Sequence, residues 1–252
     1  WEFCDMYSEF RLPFYFNTRS ENCDDEILRR IKDAGCYRMA FGIESGNEQY
    51  RQNVLRRKIS NAEIKRRFKM IEESGIAFSI NLIIGMPGET REHVMDTVRL
   101  ARSINGYDAL TSFIFTPYHG TSLRITAIEN GWLDPKSITR HNTSRSILNM
   151  PPPYLSADEI DGLVATLPLY CYFPESEWKN LRRAEFPDEK GMEIRNKYAE
   201  IYRKNFLNQN QDEDKVLIET RADGANEDGV FESKKHFSPA QLAAITAPMA
   251  GF

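Results

Sequence analysis

The chain has 252 residues, of which 41% are hydrophobic and 28% charged, with a net charge of −4 and a pI of about 5.7. This length predicts one large domain, or a medium domain with an appendage, and the apolar content is enough for a core. The acidic balance gives no support for nucleic-acid binding. No apolar run reaches the roughly 18 residues that span a bilayer, so no membrane span is predicted.

Four apolar segments predict the strands of a parallel sheet, because helical patterns separate each from the next. The strands are predicted over residues 12–19, 37–43, 77–84 and 110–115. The helices between and after them are predicted over residues 24–33, 60–75, 90–103 and 122–130. The polar residues that end the strands should then lie side by side at the carboxyl edge of one sheet, where α/β proteins build their sites.

The pattern changes after residue 135. Residues 1–135 are predicted to form the sheet domain, and residues 136–207 a helical extension in which Ser156 and Glu159 form a capping box. Residues 208–252 are polar and acidic before an ending of small residues, which predicts a disordered tail. The chain opens in mid-pattern at Trp1, so we expect a fragment of a longer protein.

The cysteines lie far apart, and none has the short spacing of a metal or cluster site. They are Cys4, Cys23, Cys36 and Cys171. This usage predicts reduced thiols in a cytoplasm and no metal ligands in the chain. Cys36 precedes an apolar strand and is predicted to be a packed core residue.

The third predicted strand ends in Gly85, Met86, Pro87 and Gly88. Such a turn lets backbone approach a ligand closely, and the helix that follows directs its first N–H groups into the same space. An adenine ring or a carboxylate could bind there through main chain alone, although an ordinary strand-to-helix turn explains the same residues. The turn lacks the residues of a phosphate-binding loop.

Polar residues end or interrupt the other strands. Glu44 and Ser45 follow the second strand, where Glu44 could accept hydrogen bonds from a sugar diol or ammonium group, or instead complement a helix dipole. Asn81 interrupts an apolar strand, as a ligand contact or as a structural amide. Arg57 lies in a charged pair that could clamp a ligand carboxylate or remain solvated.

The fourth strand leads into Tyr118 and His119. Tyr118 could stack on a base or a substrate. His119 could titrate near neutral pH, although a single loop histidine is more often structural or exposed.

In chain order, the motifs together resemble the second half of the radical SAM core domain. The motifs that carry the likeness are residues 34–48, 54–64, 75–93 and 113–121. More narrowly, they resemble the branch in which that core follows a cobalamin-binding domain, as in anaerobic ring cyclases and radical methyltransferases. The helical segment after residue 147 is more weakly similar to the C-terminal extension of this branch.

The resemblance implies an α/β fold, a partial (β/α) barrel with parallel strands that forms the second half of a (β/α)6 core and is followed by a helical extension. It implies an enzyme that forms a 5′-deoxyadenosyl radical from S-adenosylmethionine, for methyl transfer or for ring or C–C chemistry. The implied cofactors are S-adenosylmethionine, a 4Fe–4S cluster and, for this branch, cobalamin. The implied partners are a small-molecule substrate and a reductant such as flavodoxin or ferredoxin.

The resemblance also implies which residues contact S-adenosylmethionine. They are Glu44, Ser45, Arg57, Asn81, Gly85, Met86, Pro87, Gly88 and Tyr118. Glu44 and Ser45 match the strand end that contacts ribose and methionine, and Arg57 matches the residue that reaches the methionine carboxylate. Asn81 matches a position that faces the nucleoside, whereas Tyr118 and the glycine turn match positions near adenine. His119 departs from the family, which usually has proline there.

The C-x-x-x-C-x-x-C loop that binds the cluster in the family does not occur in these 252 residues, and neither does a cobalamin-binding domain. We therefore expect the cluster ligands to lie outside this chain, and the chain alone to be inactive. Two alternatives remain open: a non-catalytic nucleoside-binding or assembly module that lacks the cluster, and a TIM-type barrel fragment that binds a phosphorylated sugar.

Overall fold

The strands form one parallel sheet. In this computed structural model, residues 1–10, 12–139 and 145–207 are described. The sheet has the order β1 (Phe14–Thr18), β2 (Cys36–Glu44), β3 (Ala77–Ile84) and β4 (Ala109–Ile114). All the pairings between neighbours are parallel, which confirms the predicted α/β fold of a partial barrel. The predicted disordered tail, 208–252, lies outside the described residues.

Helices connect the strands and continue after them. They are α1 (Glu2–Tyr7), α2 (Asp25–Asp33), α3 (Glu48–Asn53), α4 (Asn61–Glu73), α5 (Arg91–Arg102), α6 (Ser122–Glu129), α7 (Ala157–Tyr172), α8 (Trp178–Ala184) and α9 (Glu189–Tyr202). The sequence did not predict α1, α3 or α8, because helices of six or seven residues show too little periodicity. Serine, threonine and aspartate caps begin the others.

The two faces of the sheet have different surroundings. On the outer face, Phe41 of β2 meets the Phe68 ring of α4 at 5.3 Å and the Phe78 ring of β3 at 6.1 Å. All three side chains are buried, as expected for a face that helices cover. On the opposite, inner face, Asn81 of β3 is half-buried, and Phe113 of β4 is 48% exposed. The inner face is therefore the open side of the partial barrel.

The helical extension packs on the outer face. Ile160, Leu163 and Leu167 of α7 are fully buried, and the hydroxyl of Ser112 in β4 donates to the carbonyl of Val164 at 3.0 Å. At the carboxyl end of α7, Arg102 of α5 donates to three backbone carbonyls between 2.6 and 3.0 Å away. The extension is thus joined to the sheet through both β4 and α5. Within the described ranges, no helix is both long and apolar enough to cross a membrane.

Candidate functional site

Polar side chains line up across the inner face near its carboxyl end. Asn81 of β3 pairs in register with Gly42 of β2 on one side and with Thr111 of β4 on the other. The Glu44 side chain folds back over Gly42, and Arg19 continues the line of β1 beside them. We call Arg19, Glu44, Asn81 and Thr111 the polar row. It brings together two of the predicted site residues, Glu44 and Asn81.

Glu44 has an unusual backbone. Its φ is +66°, a left-handed conformation that a residue with a side chain adopts at a cost. This conformation turns the carboxylate back over its own strand, so that a Cβ on Gly42 would lie 2.3 Å from Glu44 Oε1. Burial raises the pKa of the Glu44 carboxyl, and the nearby charges of Arg57 and Arg19 oppose that rise. Asn47, and not Glu44, is the N-cap of α3, which removes the helix-dipole interpretation.

Asn81 is half-buried on the inner face. Among the described residues, its side-chain amide has no hydrogen-bond partner. A structural amide would be buried and paired. The half-buried position of Asn81 on the open face therefore favours its role as a ligand contact over its role in the core.

Ser45 lies behind the polar row. It is fully buried, and no described residue is within hydrogen-bonding distance of its hydroxyl. Its carbonyl accepts a 2.8 Å bond from Arg51, whose side chain is also fully buried and additionally binds the carbonyl of Ile59. The sequence analysis missed Arg51, which anchors the loop between β2 and α4.

Arg57 is bound to groups of the protein itself. Its Nε and Nη2 atoms donate to both oxygens of Glu21 over 2.8–2.9 Å, and its Nη1 donates to the carbonyls of Gly42 and Ile43 at 2.9 and 3.2 Å. The side chain is buried, with 7% of its surface exposed. The guanidinium predicted to clamp a ligand carboxylate is thus occupied by an internal carboxylate.

The glycine turn after β3 is covered by the helical extension. Gly85, Met86 and Pro87 are all buried, and only Gly88 is partly exposed. A Cβ on Gly85 would lie 2.8 Å from the Ile160 side chain of α7. The Pro87 carbonyl accepts a 2.7 Å bond from the Tyr50 hydroxyl. One side of the turn therefore faces the protein interior. Adenine could contact only the opposite side.

Glu89 holds this turn from inside. Its Oε2 accepts bonds from the backbone N–H groups of Gly85 at 2.6 Å and Met86 at 3.3 Å, whereas Oε1 has no partner in the described part of the chain. The residue is fully buried, and this burial raises the pKa of the carboxyl to about 8. The sequence analysis missed Glu89, although an acidic residue directly after a glycine turn is a visible signal.

The loop after β4 lies at the same sheet edge. Tyr118 is 42% exposed there, and its carbonyl accepts a 2.7 Å bond from the Thr121 hydroxyl, which caps α6. His119 is also exposed. Tyr118 is thus accessible to a ligand, whereas no contact of His119 points to a catalytic role.

The cysteines do not fit an iron–sulfur cluster. Among the described residues, no group of three His, Cys, Asp or Glu side chains could hold a metal ion. Burial raises the pKa of the Cys23 thiol to about 11 and those of Cys36 and Cys171 to about 12, which disfavours the thiolate form that cluster ligands take. Cys36 is buried in the core, as predicted.

The apolar cavity beside β1 is separate from the polar row. It has a volume of about 610 Å³ and lies between β1, α1 and α2. Its walls include Phe3, Phe14 and Ile27. Its apolar lining offers few hydrogen-bonding groups for a nucleoside, so the polar row remains the candidate site.

Comparison with known proteins agrees with the motif pattern. Residues 2–101 match the Radical SAM superfamily. The chain is 29% identical over 142 residues to an uncharacterized methyltransferase (PH0819) of Pyrococcus horikoshii, covering 52% of this chain and 30% of that protein. It is 25% identical over 169 residues to cytidylyl-2-hydroxyethylphosphonate methyltransferase of Streptomyces wedmorensis, covering 62% of this chain and 31% of that protein.

Another relative is tRNA-2-methylthio-N(6)-dimethylallyladenosine synthase of Clostridioides difficile, which is 31% identical over 111 residues, or 42% of this chain and 23% of that protein. The chain thus spans less than a third of the length of these relatives. Among solved structures, coproporphyrinogen III oxidase (HemN) of Escherichia coli, described as a radical SAM enzyme, matches with a TM-score of 0.38 and 20% identity, over 42% of this chain and 24% of that one.

Proposed function

We propose that this chain is part of a radical SAM enzyme and that its polar row binds the nucleoside of S-adenosylmethionine. The observation that carries the proposal is the backbone of Glu44, which is held at a φ of +66° and turns its carboxylate onto the open inner face beside Asn81. Strain of this kind persists where the surroundings enforce it, and it is concentrated at functional sites. The superfamily match over residues 2–101 supports the same assignment.

The residues of the row suit different parts of such a ligand. Glu44 can accept hydrogen bonds from ribose hydroxyls, and the Asn81 amide can both donate to and accept from a nucleoside. Tyr118, exposed at the end of β4, offers a ring on which adenine can stack. Bound S-adenosylmethionine supplies the 5′-deoxyadenosyl group, while these residues bind and orient it. The 4Fe–4S cluster would be held by residues outside this chain.

Methyl transfer is the reaction that we favour within this class. Two of the relatives described above are named methyltransferases, and the third is named for a methylthio product. Ring or C–C chemistry remains the alternative outcome. We further propose cobalamin as an additional cofactor bound by another domain, a small-molecule substrate, and a flavodoxin- or ferredoxin-type reductant.

A second candidate function follows from the cysteines. Because the described part of the chain offers no cluster ligands, it is also consistent with a module that binds a nucleoside without catalysis. The two candidates predict the same ligand but differ in its fate, since only the enzyme cleaves S-adenosylmethionine.

Anaerobic reduction of the full-length protein tests the proposal. The enzyme is expected to form 5′-deoxyadenosine from S-adenosylmethionine. Glu44→Gln should weaken the binding of S-adenosylmethionine by about tenfold or more, because it removes hydrogen bonds to a charged acceptor. Glu129→Gln, an exposed change on α6, serves as the matched control.

The possible outcomes separate the candidates. Binding of S-adenosylmethionine by full-length protein that contains no cluster and forms no 5′-deoxyadenosine would favour the non-catalytic module. If neither binding nor cleavage is detected, or if Glu44→Gln and Glu129→Gln bind equally well, the proposed site is wrong.

A further inference from the structure

We propose that Arg19, rather than Arg57, binds the carboxylate at the methionine end of S-adenosylmethionine. This inference rests on the proposed function and adds an orientation for the ligand across the sheet. It differs from the role that the family resemblance implies for Arg57. It follows from which of the two guanidinium groups is available on the inner face.

Arg57 has no donor to spare. Two of its nitrogens form a fork on the Glu21 carboxylate, and the third binds the carbonyls of Gly42 and Ile43. A ligand carboxylate could bind Arg57 only by displacing Glu21. The displaced Glu21 carboxylate would then lie next to the ligand carboxylate, and the two negative charges would repel each other. Arginine–carboxylate pairs with this bidentate geometry are strong, and breaking a buried one is costly. Arg57 therefore stabilises the loop that ends β2.

Arg19 is placed on the inner face by the geometry of β1. Thr18, the last residue of β1, pairs with Phe41 of β2. One residue further along each strand, Arg19 therefore lies beside Gly42. The backbone of Arg19 remains extended, with φ of −111° and ψ of 146°. Side chains alternate along an extended backbone, so Arg19 lies on the same face as Asn17, opposite Thr18.

Arg19 is also uncommitted. Arg19 is exposed to solvent. Its guanidinium makes no hydrogen bond or ion pair with any described residue. Its charge nevertheless acts on Glu44, because Arg19 and Arg57 are the two cations that oppose the rise in the pKa of that carboxyl. A free guanidinium can bind the carboxylate of a zwitterionic ligand, and a half-buried carboxylate beside it can bind the ammonium group of the same ligand.

The order of the row fits the order of groups in S-adenosylmethionine. Neighbouring strands are about 4.8 Å apart, so Arg19 on β1, Glu44 on β2 and Asn81 on β3 are spaced over about two strand separations. The methionine carboxylate would lie over β1, the ammonium and ribose groups near Glu44, and the base toward β3 and β4. The planar fork of arginine suits a carboxylate better than the point charge of lysine.

Paired ligands test the inference in the full-length protein. S-adenosylmethionine and 5′-methylthioadenosine share the nucleoside, but only the first has the amino acid group. We expect Arg19→Gln to weaken the binding of S-adenosylmethionine by about 10- to 100-fold and to leave that of 5′-methylthioadenosine within about twofold. Arg19→Lys should recover part of the loss, and Arg29→Gln, an exposed control on α2, should change neither affinity.

Arg57→Gln should behave differently. We expect it to lower the melting temperature and to weaken both ligands together, because it disrupts the loop that holds Glu44. The inference is overturned if Arg19→Gln leaves the affinity for S-adenosylmethionine unchanged, or if it weakens both ligands equally. It is also overturned if Arg57→Gln loses only S-adenosylmethionine. Failure of the wild-type protein to bind either ligand would instead contradict the proposed function.

Discussion

The ends of β2 and β3 look alike in sequence but differ in the structure. Each strand is apolar and runs into glycine and a polar residue. At the end of β3, the turn is held by Glu89 from inside and covered by α7 from outside. At the end of β2, Glu44 adopts a strained backbone and turns its carboxylate onto an open face.

This difference shows that the helical extension decides which strand end remains accessible. Ile160 of α7 lies against Gly85, and Arg91, the first residue of α5, pairs with Glu185 at the end of α8. The β3 end is therefore mainly a structural joint between the sheet and the extension. The β2 end faces the open side of the sheet. The following substitutions probe the two ends separately.

The largest effect is expected from removing the carboxylate that joins the extension to α5. Glu185 is buried and accepts bonds from Arg91 at 2.6 Å and from the Tyr170 hydroxyl at 2.5 Å. Glu185→Ala should lower the free energy of unfolding by roughly 3 kcal/mol, because it leaves these donors without a partner. Urea unfolding of the full-length protein measures the change.

Glu92→Ala, in an exposed ion pair, should cost less than about 1 kcal/mol. Equal losses would contradict the role of Glu185 as a joint.

Gly85→Ala should destabilise the protein by about 2 to 3 kcal/mol. Its φ is +85°, which costs an alanine about 1 kcal/mol or more, and its new Cβ would meet Ile160 at 2.8 Å. Gly131 provides the control, since it has φ of +70° with no atom within 4 Å of a Cβ. Gly131→Ala should lose only about 1 kcal/mol from backbone strain. Thermal or urea unfolding of the two variants should separate strain from contact with the extension.

The pH dependence of stability should reveal Glu89. Its pKa in the folded protein is raised to about 8, so between the ordinary carboxyl range and pH 8 the folded state binds a proton that the unfolded state has lost. The free energy of unfolding contributed by this group therefore falls as pH rises through that window. Glu89→Gln keeps an oxygen acceptor for Gly85 and cannot ionise, so its stability relative to wild type should increase with pH. A pH-independent difference between the two proteins would mean that Glu89 ionises normally.

The smallest effect on stability is expected at the end of β2. Glu44→Gly should stabilise the fold by about 1 kcal/mol by relieving the positive φ, and it should abolish binding of S-adenosylmethionine. Arg56→Gly is the matched control, because Arg56 also has a positive φ of 54° and is exposed. It should gain similar stability without losing the ligand. A loss of ligand in both variants would point to the loop as a whole and not to the Glu44 carboxylate.

Much of the fold could be predicted from the sequence, because its signals are local. The apolar run of β3, the cap at Ser60 and the capping box at Ser156 each lie within a few neighbouring residues, and the structure has the corresponding strand and helices. Ser60 and Glu63 also have the sequence of a capping box, but the Glu63 carboxylate pairs with Arg66 and Arg67 and does not close the box.

The site was harder to predict because its geometry depends on distant partners. Arg57 matched a family position, yet Glu21, which occupies it, lies 36 residues earlier. Gly85 suggested close approach of a ligand, and the close neighbour is Ile160 in the helical extension. Neither partner can be recognised from the motif itself. The positive φ of Glu44 cannot be predicted from the sequence either.

A crystal structure of the full-length protein with S-adenosylmethionine tests the central claim most directly. We predict that the ligand lies on the inner face along the polar row, with its ribose at Glu44 and its carboxylate at Arg19. A ligand bound away from Glu44, on the helix-covered face or in the apolar cavity beside β1, would contradict this account.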